Sequence, residues 1–514
     1  MVVIGFGPVA ARLIDELRGE VVAGRLQILV VGAEPQPAYN RILIGEAALG
    51  STDPDLLPLS DPDELRADGI TVRLGVAVVG IDRERRYLTL ADGDQHVYDL
   101  LVFATGAAAR VPRLVGLDHR GPGEDPRLPA GMTVLRDLGD ADRLAALAAP
   151  GRSLIVLGGG VLGMELALAA AEHGARVTLV HSGRVPMERN LDRTAAALVA
   201  RHLRRHDVGV EADARATGVR IRDGRFVALT LADDRHVGAD GIVLCCGAVP
   251  RTGLAESAGF PCDNGILVDH RLAVGSEPGV FAIGDCARVR CPDDDCRRCH
   301  ATRGPSGLVG PGWAQAEQLA THVRALLDHT CTDWTESAER PDDPPVMVVK
   351  TPGLSIVSAG QLDLDPADWL ADDHGRAGVA QWSDPEHGRY AKMITDDGVL
   401  VGLICVGMPR TAAELTLLYE RRAELPSDRS ALLRHDGPDH GFGGVPGAGT
   451  DQTGDDVIVC RCNGVSTGQI AAAIDDGHHD VVAVGKATRA GTGCGSCKDR
   501  VCEILDNRTK VGVA

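Results

Sequence analysis

Leu154-Ile155-Val156-Leu157-Gly158-Gly159-Gly160-Val161-Leu162-Gly163-Met164-Glu165 is the stretch on which the reading of this chain turns. Its apolar run does not alternate, so it reads as a strand buried on both faces. Gly158, Gly160 and Gly163 have the G-x-G-x-x-G spacing of a turn that opens a helix under a dinucleotide, and an alanine-rich segment continues the helix to about Gly174. The next apolar run, Arg176-Val177-Thr178-Leu179-Val180, ends at His181. A carboxylate at that position usually accepts the ribose hydroxyls of NADH, and none stands here. His181 with Arg184 is suited to a 2′-phosphate, so the choice between NADH and NADPH stays open.

A second fingerprint opens the chain. Val2-Val3-Ile4-Gly5-Phe6-Gly7-Pro8-Val9-Ala10-Ala11 reads as strand, glycine turn and helix start, with Pro8 tolerated in the first helical turn. Gly5 permits the turn, Gly7 lets the backbone reach a pyrophosphate, and Ala10 keeps helix and strand close. The run Ile28-Leu29-Val30-Val31-Gly32-Ala33-Glu34 then ends in a carboxylate placed to accept ribose hydroxyls, against the plainer reading of a surface glutamate after a buried strand. The composition fits a soluble α/β chain of several domains, with 514 residues and 44% hydrophobic content. Lys and Arg total 53 against 72 Asp and Glu, and a formal charge of −19 argues against a nucleic-acid surface while leaving an acidic face that suits a basic partner. Neither a signal peptide nor an apolar stretch of about 18 residues is apparent, so a cytoplasmic protein with no membrane partner is expected. The abrupt opening leaves room for residues upstream.

Three further stretches carry a resemblance. Tyr98-Asp99-Leu100-Leu101-Val102-Phe103-Ala104-Thr105-Gly106-Ala107 is an apolar strand ending in Ala-Thr-Gly, Val243-Leu244-Cys245-Cys246-Gly247-Ala248-Val249-Pro250-Arg251 leaves its strand by Gly-x-x-Pro, and Gly279-Val280-Phe281-Ala282-Ile283-Gly284-Asp285 closes the series. Taken in order with the two fingerprints, they resemble the two-dinucleotide flavoprotein reductases of the pyridine nucleotide-disulfide oxidoreductase type. That resemblance implies an α/β fold with two Rossmann-like domains, the nicotinamide domain (113–250) inserted between halves of the flavin domain (1–112 and 251–330). Gly5, Gly7, Ala10, Glu34, Arg41, Thr105, Gly106 and Asp285 would hold FAD, with Trp313 and Gln315 near the flavin. Gly158, Gly160, Gly163, His181, Arg184 and Gly247 would hold NAD(P). The vicinal Cys245-Cys246 pair reads as core packing, since vicinal disulfides are strained.

Cysteines are absent before Cys245 and mostly clustered after it, which favours metal or redox chemistry over a disulfide framework. Cys460-Arg461-Cys462 and Cys494-Gly495-Ser496-Cys497 present four thiols as two close pairs with glycines beside them, a pattern suited to a [2Fe-2S] cluster, with zinc or a disulfide as the competing readings. The stretch resembles the BFD-like [2Fe-2S] domain, here 457–510. Cys286, Cys291, Cys296 and Cys299 form a second group in a polar insertion (286–300), suited to zinc or another cluster, or else incidental. Residues 340–435 read as a small α/β domain. Its expected strands are 346–350 and 354–360, with a hairpin of 390–394 and 399–405 and a helix through Ala412 to Arg422. The glycine-rich 436–456 reads as a flexible linker.

The whole pattern resembles the flavoprotein part of assimilatory NAD(P)H-nitrite reductases and the electron-transfer subunit of assimilatory nitrate reductase. The resemblance implies that NAD(P)H reduces FAD and that electrons leave singly through the cluster to a separate nitrate or nitrite reductase, because no sirohaem or molybdopterin domain is present. It also implies that the small α/β domain covers the flavin and contributes dimer contacts, which leaves a homodimer open. No side chain is assigned as acid, base or nucleophile. An amine- or opine-dehydrogenase subunit, a general ferredoxin reductase and an iron-handling or redox-sensing protein are the alternatives.

Overall fold

The computed structural model describes residues 1–117, 127–290, 304–328, 346–351, 353–365, 369, 376–436, 455, 458–460, 465–491 and 497–511. The chain forms two compact units and passes between them more than once. One unit holds Met1–Ala107, Pro250–Cys331 and Val445–Ala514, and the other holds Ala108–Val249 and Thr332–Gly444.

In the first unit a five-stranded parallel sheet has the order Val280–Ala282, Leu101–Phe103, Val2–Ile4, Leu29–Gly32, Thr71–Leu74. Its central strands are buried on both faces, as unbroken Val, Ile and Phe runs require in a parallel sheet covered by helices. The Pro8–Val22 helix buries Ala10, Leu13, Ile14 and Leu17, and the Val309–Leu327 helix contributes Ala316, Leu319, Ala320 and Val323 to the same core. Each fully buried leucine there contributes about 2 kcal/mol. Strand Val280–Ala282 joins the sheet from beyond residue 250, so the two separated segments share one core. An antiparallel sheet of Val78–Asp82, Tyr87–Leu90 and Gln95–Val97 completes this part.

The C-terminal residues of this unit have a small core of their own. Strand Ile458–Cys460 pairs antiparallel with Val465–Ser466. Three helices follow: Thr467–Asp475, Val481–Thr488 and Lys498–Val511. Ser466 and Gln469 form a capping box on the first, which satisfies the exposed N–H groups that would otherwise fray it.

The second unit repeats the parallel arrangement in the order Gly209–Glu211, Arg176–Val180, Ser153–Leu157, Gly241–Leu244, Met132–Val134. Beside it lies an antiparallel sheet of Ala216–Arg222, Arg225–Leu231 and His236–Gly238. A five-stranded antiparallel sheet then runs in the order Met347–Thr351, Leu354–Gly360, Val399–Val406, Arg389–Asp396, Ala377–Asp384, and the helix Pro409–Glu420 packs its Ala412, Leu415 and Tyr419 on it. The expected hairpin turns through Asp397 and Gly398, both at positive φ. Sequence reasoning missed the edge strand Ala377–Asp384, whose burial alternates weakly and whose partner is supplied by the neighbouring strand. Asp192 joins this sheet to the preceding domain. It caps the Arg193–Arg205 helix at Ala195 N–H, accepts from the Tyr390 hydroxyl at 2.5 Å and pairs with the buried Lys392 ammonium at 3.2 Å. The stretch expected to be a linker lies almost wholly outside the described residues, from 437 to 454.

Candidate functional site

Register decides where the sequence motifs meet. In the first unit Ile4 lies opposite Val31 on one side and Phe103 on the other, and Phe103 lies opposite Ala282. All these strands run in the same direction. The segments leaving them, Gly5-Phe6-Gly7, Gly32-Ala33-Glu34, Ala104-Thr105-Gly106 and Ile283-Gly284-Asp285, therefore emerge together at the carboxyl edge of the sheet, where open α/β sheets bind ligands. The second unit has the same geometry. Leu157 is flanked by Val180 and Leu244, so Gly158–Gly160, His181 and Cys245-Cys246-Gly247 share an edge.

The glycines are of two kinds. A Cβ on Gly5 would lie 2.2 Å from the Ala104 carbonyl oxygen, and one on Gly158 would lie 2.2 Å from that of Cys245; both residues have positive φ. On Gly163 it would meet the Gly158 oxygen at 1.9 Å. These three hold helix, turn and neighbouring strand together. Gly7 and Gly160, by contrast, are the N-cap residues of Pro8–Val22 and Val161–Glu172 and have no side-chain cap, and among the described residues a Cβ added to either would meet no other atom within 4 Å. The helices opening at Asp137, Asp192, Ser466 and Asp480 are capped by side chains. The two glycine-led helices thus present open N-termini with room in front, an arrangement that fits a diphosphate.

The other residues expected to hold a nucleotide are fixed by contacts of their own. The Glu34 carboxylate accepts from Tyr39 Oη at 2.6 Å and pairs with Arg41, whose guanidinium stacks 4.7 Å from the Tyr39 ring centre. Thr105 Oγ1 donates to the Arg251 carbonyl at 2.8 Å, and Gly106 takes positive φ. Gln315 Oε1 accepts from Gly284 N–H at 2.7 Å, and Trp313 Nε1–H donates to the Pro8 carbonyl at 3.2 Å. Trp313 and Gln315 therefore brace the first turn of the Pro8–Val22 helix and the Gly284-Asp285 turn.

His181 is buried, and its ring lies so close to the glycine turn that a Cβ on Gly159 would come 2.8 Å from its Cγ. Burial lowers its pKa, against the opposing charges of Glu188 and Asp213. Among the described residues its Nε2 has no hydrogen-bond partner. The following loop folds back as Met187 N–H bonds to the Gly159 carbonyl at 2.7 Å, which brings Glu188 beside Gly183. Glu188 was not singled out from sequence, since no regular spacing marks a loop that returns to its own strand. Arg184 is exposed, and Gly247 is open at positive φ.

The cysteines separate by environment. Cys245 is buried and its pKa is raised by that burial, and Cys246, pushed up to about 11, donates to the Leu157 carbonyl at 3.4 Å. Both are free, as packing thiols should be. Of the second cysteine group, only Cys286 lies among the described residues. It is wholly buried in the flavin-side core, its Sγ donates to the carbonyl of Ile283 at 3.2 Å, and burial raises its pKa. This enclosure among sheet residues suits a packing thiol. Cys291, Cys296 and Cys299 lie outside the described residues.

Of the C-terminal quartet, Cys462 and Cys494 also lie outside the described residues. Cys460 and Cys497 are buried at 0% and 4% exposure in one small core with Val465, Ile470, Ala490 and Val501. The fold thus draws the outer members of the two pairs into one place although they stand 37 positions apart in sequence. Soft sulfur donors in two close pairs suit a [2Fe-2S] cluster.

Comparison with known proteins identifies the class. The chain belongs to the pyridine nucleotide-disulphide oxidoreductase family, whose model matches residues 1–307, and it carries a BFD-like [2Fe-2S] binding domain over residues 458–507. Its cofactors are accordingly FAD, NAD(P)H and a [2Fe-2S] cluster. Nitrite reductase [NAD(P)H] of Bacillus subtilis is 29% identical over 99% of this chain and 57% of its own length. The assimilatory nitrate reductase electron transfer subunit of the same organism is 27% identical over 98% of this chain and 59% of its own. The chain thus spans a little over half the length of these relatives. Rhodocoxin reductase of Rhodococcus erythropolis is 34% identical over 65% of this chain and 73% of its own length. Among solved structures, the covalent putidaredoxin reductase–putidaredoxin complex shares the fold with a TM-score of 0.67 at 21% identity, covering 85% of this chain and 98% of that one. No helix among the described residues is long and apolar enough to cross a membrane.

Proposed function

We propose that this chain is an electron-input flavoprotein: it oxidises NAD(P)H and delivers electrons singly, through its C-terminal cluster, to a separate terminal reductase of the nitrate or nitrite type. The observation that carries this reading is the presence of two uncapped, glycine-led helix N-termini and a buried cysteine centre in one chain. When bound, FAD accepts a hydride from NAD(P)H, and a [2Fe-2S] cluster exchanges one electron at a time.

The protein's contribution is position. The N–H groups following Gly7 and Gly160 neutralise diphosphate charge, and Ala10, Gly5, Gly158 and Gly163 hold those helices against their strands. Glu34, held by Tyr39 and Arg41, receives the flavin-side ribose. Thr105, Gly106 and Asp285 line the same edge, braced by Trp313 and Gln315. Gly247, His181 and Arg184 border the nicotinamide-nucleotide site. Cys460, Cys462, Cys494 and Cys497 ligate the cluster.

The reductase relatives favour a second reading, in which the acceptor is a small soluble electron carrier. Anaerobic titration of the purified protein with NAD(P)H separates these ideas. The expected result is about two irons and two labile sulfides per chain, bleached together with the flavin, and a nitrate or nitrite reductase recovered with the chain from its host. A chain without iron and sulfide, or one that passes electrons readily to an added small carrier but to no terminal reductase, would overturn it.

A further inference from the structure

Arg489 closes the Val481–Thr488 helix in the left-handed conformation, with φ 66° and ψ 7°, and its N–H returns to the Gly485 carbonyl at 2.7 Å. Glycine fills such a position without strain, whereas a residue with a Cβ does not. The arginine side chain leaves the small cysteine core and reaches the Pro8–Val22 helix. One guanidinium nitrogen stands 3.0 Å from Asp15 Oδ2 and the other 3.8 Å from Glu16 Oε1. On its main-chain side, the Arg489 carbonyl faces Cys460 Sγ at 3.9 Å, and the next residue, Ala490, is buried with Cys460 and Cys497. One residue therefore touches both a cysteine of the candidate cluster centre and the helix whose N-terminus forms the flavin cradle.

We propose that Arg489 docks the cluster domain on the flavin domain, its guanidinium seated on Asp15 and Glu16 while its main chain backs Cys460, and that electron passage from flavin to cluster depends on this contact. The proposal rests on the reading of Cys460 as a cluster ligand. Asp15 is the principal partner, because Glu16 is shared with Arg12 at 3.3 Å and Arg324 at 3.5 Å. Asp15 is also partly buried, and among the cations around it Arg489 does most to oppose the resulting rise in its pKa. Both side chains keep some exposure, 33% for Arg489 and 27% for Asp15. Such a pair holds weakly, exchanges readily and is screened by salt, which suits a contact that must also release. Arg489 is a positioning residue, acting on the flavin-to-cluster distance rather than on bond making.

The test uses the full-length holoprotein with Asp15→Arg, Arg489→Gly and the swap Asp15→Arg/Arg489→Asp. Arg489→Gly suits the left-handed backbone, so loss of folding is not its expected effect. Iron, labile sulfide and NAD(P)H–ferricyanide turnover are expected to match wild type in Asp15→Arg. Rapid-mixing measurement of cluster reduction after flavin reduction is expected to slow about tenfold or more in both single variants and to recover in part in the swap. Hydrogen exchange is expected to quicken at residues 12–19 and 484–491 in Asp15→Arg. Unchanged cluster reduction together with unchanged exchange in Asp15→Arg would overturn the proposal. A wild-type chain that holds no iron or sulfide would instead overturn the reading beneath it, and hydrogen exchange would still report whether Arg489 docks.

Discussion

Gly160 and Gly158 stand two residues apart, yet they answer to different constraints. Gly160 has extended backbone, with φ −80° and ψ −174°, and faces open space. Gly158 is at φ 124° and faces a carbonyl. Gly160→Ala should leave thermal stability nearly unchanged and weaken NAD(P)H binding about tenfold or more, because the added methyl enters only the open space before the helix N-terminus, where the proposed site would seat the diphosphate. Gly158→Ala should cost at least about 2 kcal/mol in the folded state itself. Denaturation curves beside nucleotide titration of both variants check the contrast. His181 adds a pH dependence. The folded chain holds it neutral because burial lowers its pKa, whereas the unfolded chain takes up a proton near the ordinary value of about 6.5. Below that pH the unfolded state binds more protons, so this residue's contribution to stability falls as the solution is acidified and is constant above it. Measured by denaturation, the stability difference between wild type and His181→Gln should shift against wild type as pH drops from about 7 to about 5.

At the scale of elements, the contact between the Arg193–Arg205 helix and strand Arg389–Asp396 depends on Asp192. Burial and the Asp192 carboxylate push the Tyr390 pKa upward, so the phenol remains a donor. Lys392 Nζ is otherwise satisfied by the Leu362 carbonyl at 3.0 Å. Tyr390→Phe should cost about 1 kcal/mol, the worth of one hydrogen bond. Lys392→Met should cost about 3 kcal/mol, because it leaves a carboxylate in a half-buried site without its cation. Urea denaturation of the two variants checks the ranking. None of this was legible in sequence, since Asp192 and Lys392 are 200 positions apart and neither belongs to a motif. The parallel sheets were legible for a physical reason: strands buried on both faces must be continuously apolar, and the turns leaving Ile4 and Leu157 must be glycine where a carbonyl lies 2.2 Å from a Cβ. The surroundings of Cys286 were hidden for the opposite reason. Its spacing to Cys291 suggested one loop, but Cys286 still belongs to the turn after strand Val280–Ala282, inside the core. Arg489 was silent because a left-handed helix end is usually announced by glycine or asparagine.

Across the whole molecule, a formal charge of −19 governs how acceptors approach. Charges at the surface are felt over about 10 Å at 0.1 M salt and over about 3 Å at 1 M. An anionic acceptor such as ferricyanide meets a repelling field, and a basic protein acceptor such as cytochrome c meets an attracting one, before either touches the chain. Raising salt should therefore speed reduction of the first and slow reduction of the second, in opposite directions with the same enzyme and the same NAD(P)H. The two acceptors also sample different points of the electron path, if ferricyanide takes electrons from the flavin and cytochrome c from the cluster. Cys494→Ser, which removes one of the proposed cluster ligands, should then abolish cytochrome c reduction and its negative salt slope while preserving ferricyanide turnover and its positive slope. Steady-state rates at a series of ionic strengths give both slopes. Equal slopes for the two acceptors would mean that net charge does not steer their approach, and cytochrome c reduction surviving in Cys494→Ser would mean that electrons leave the chain before the cysteine centre.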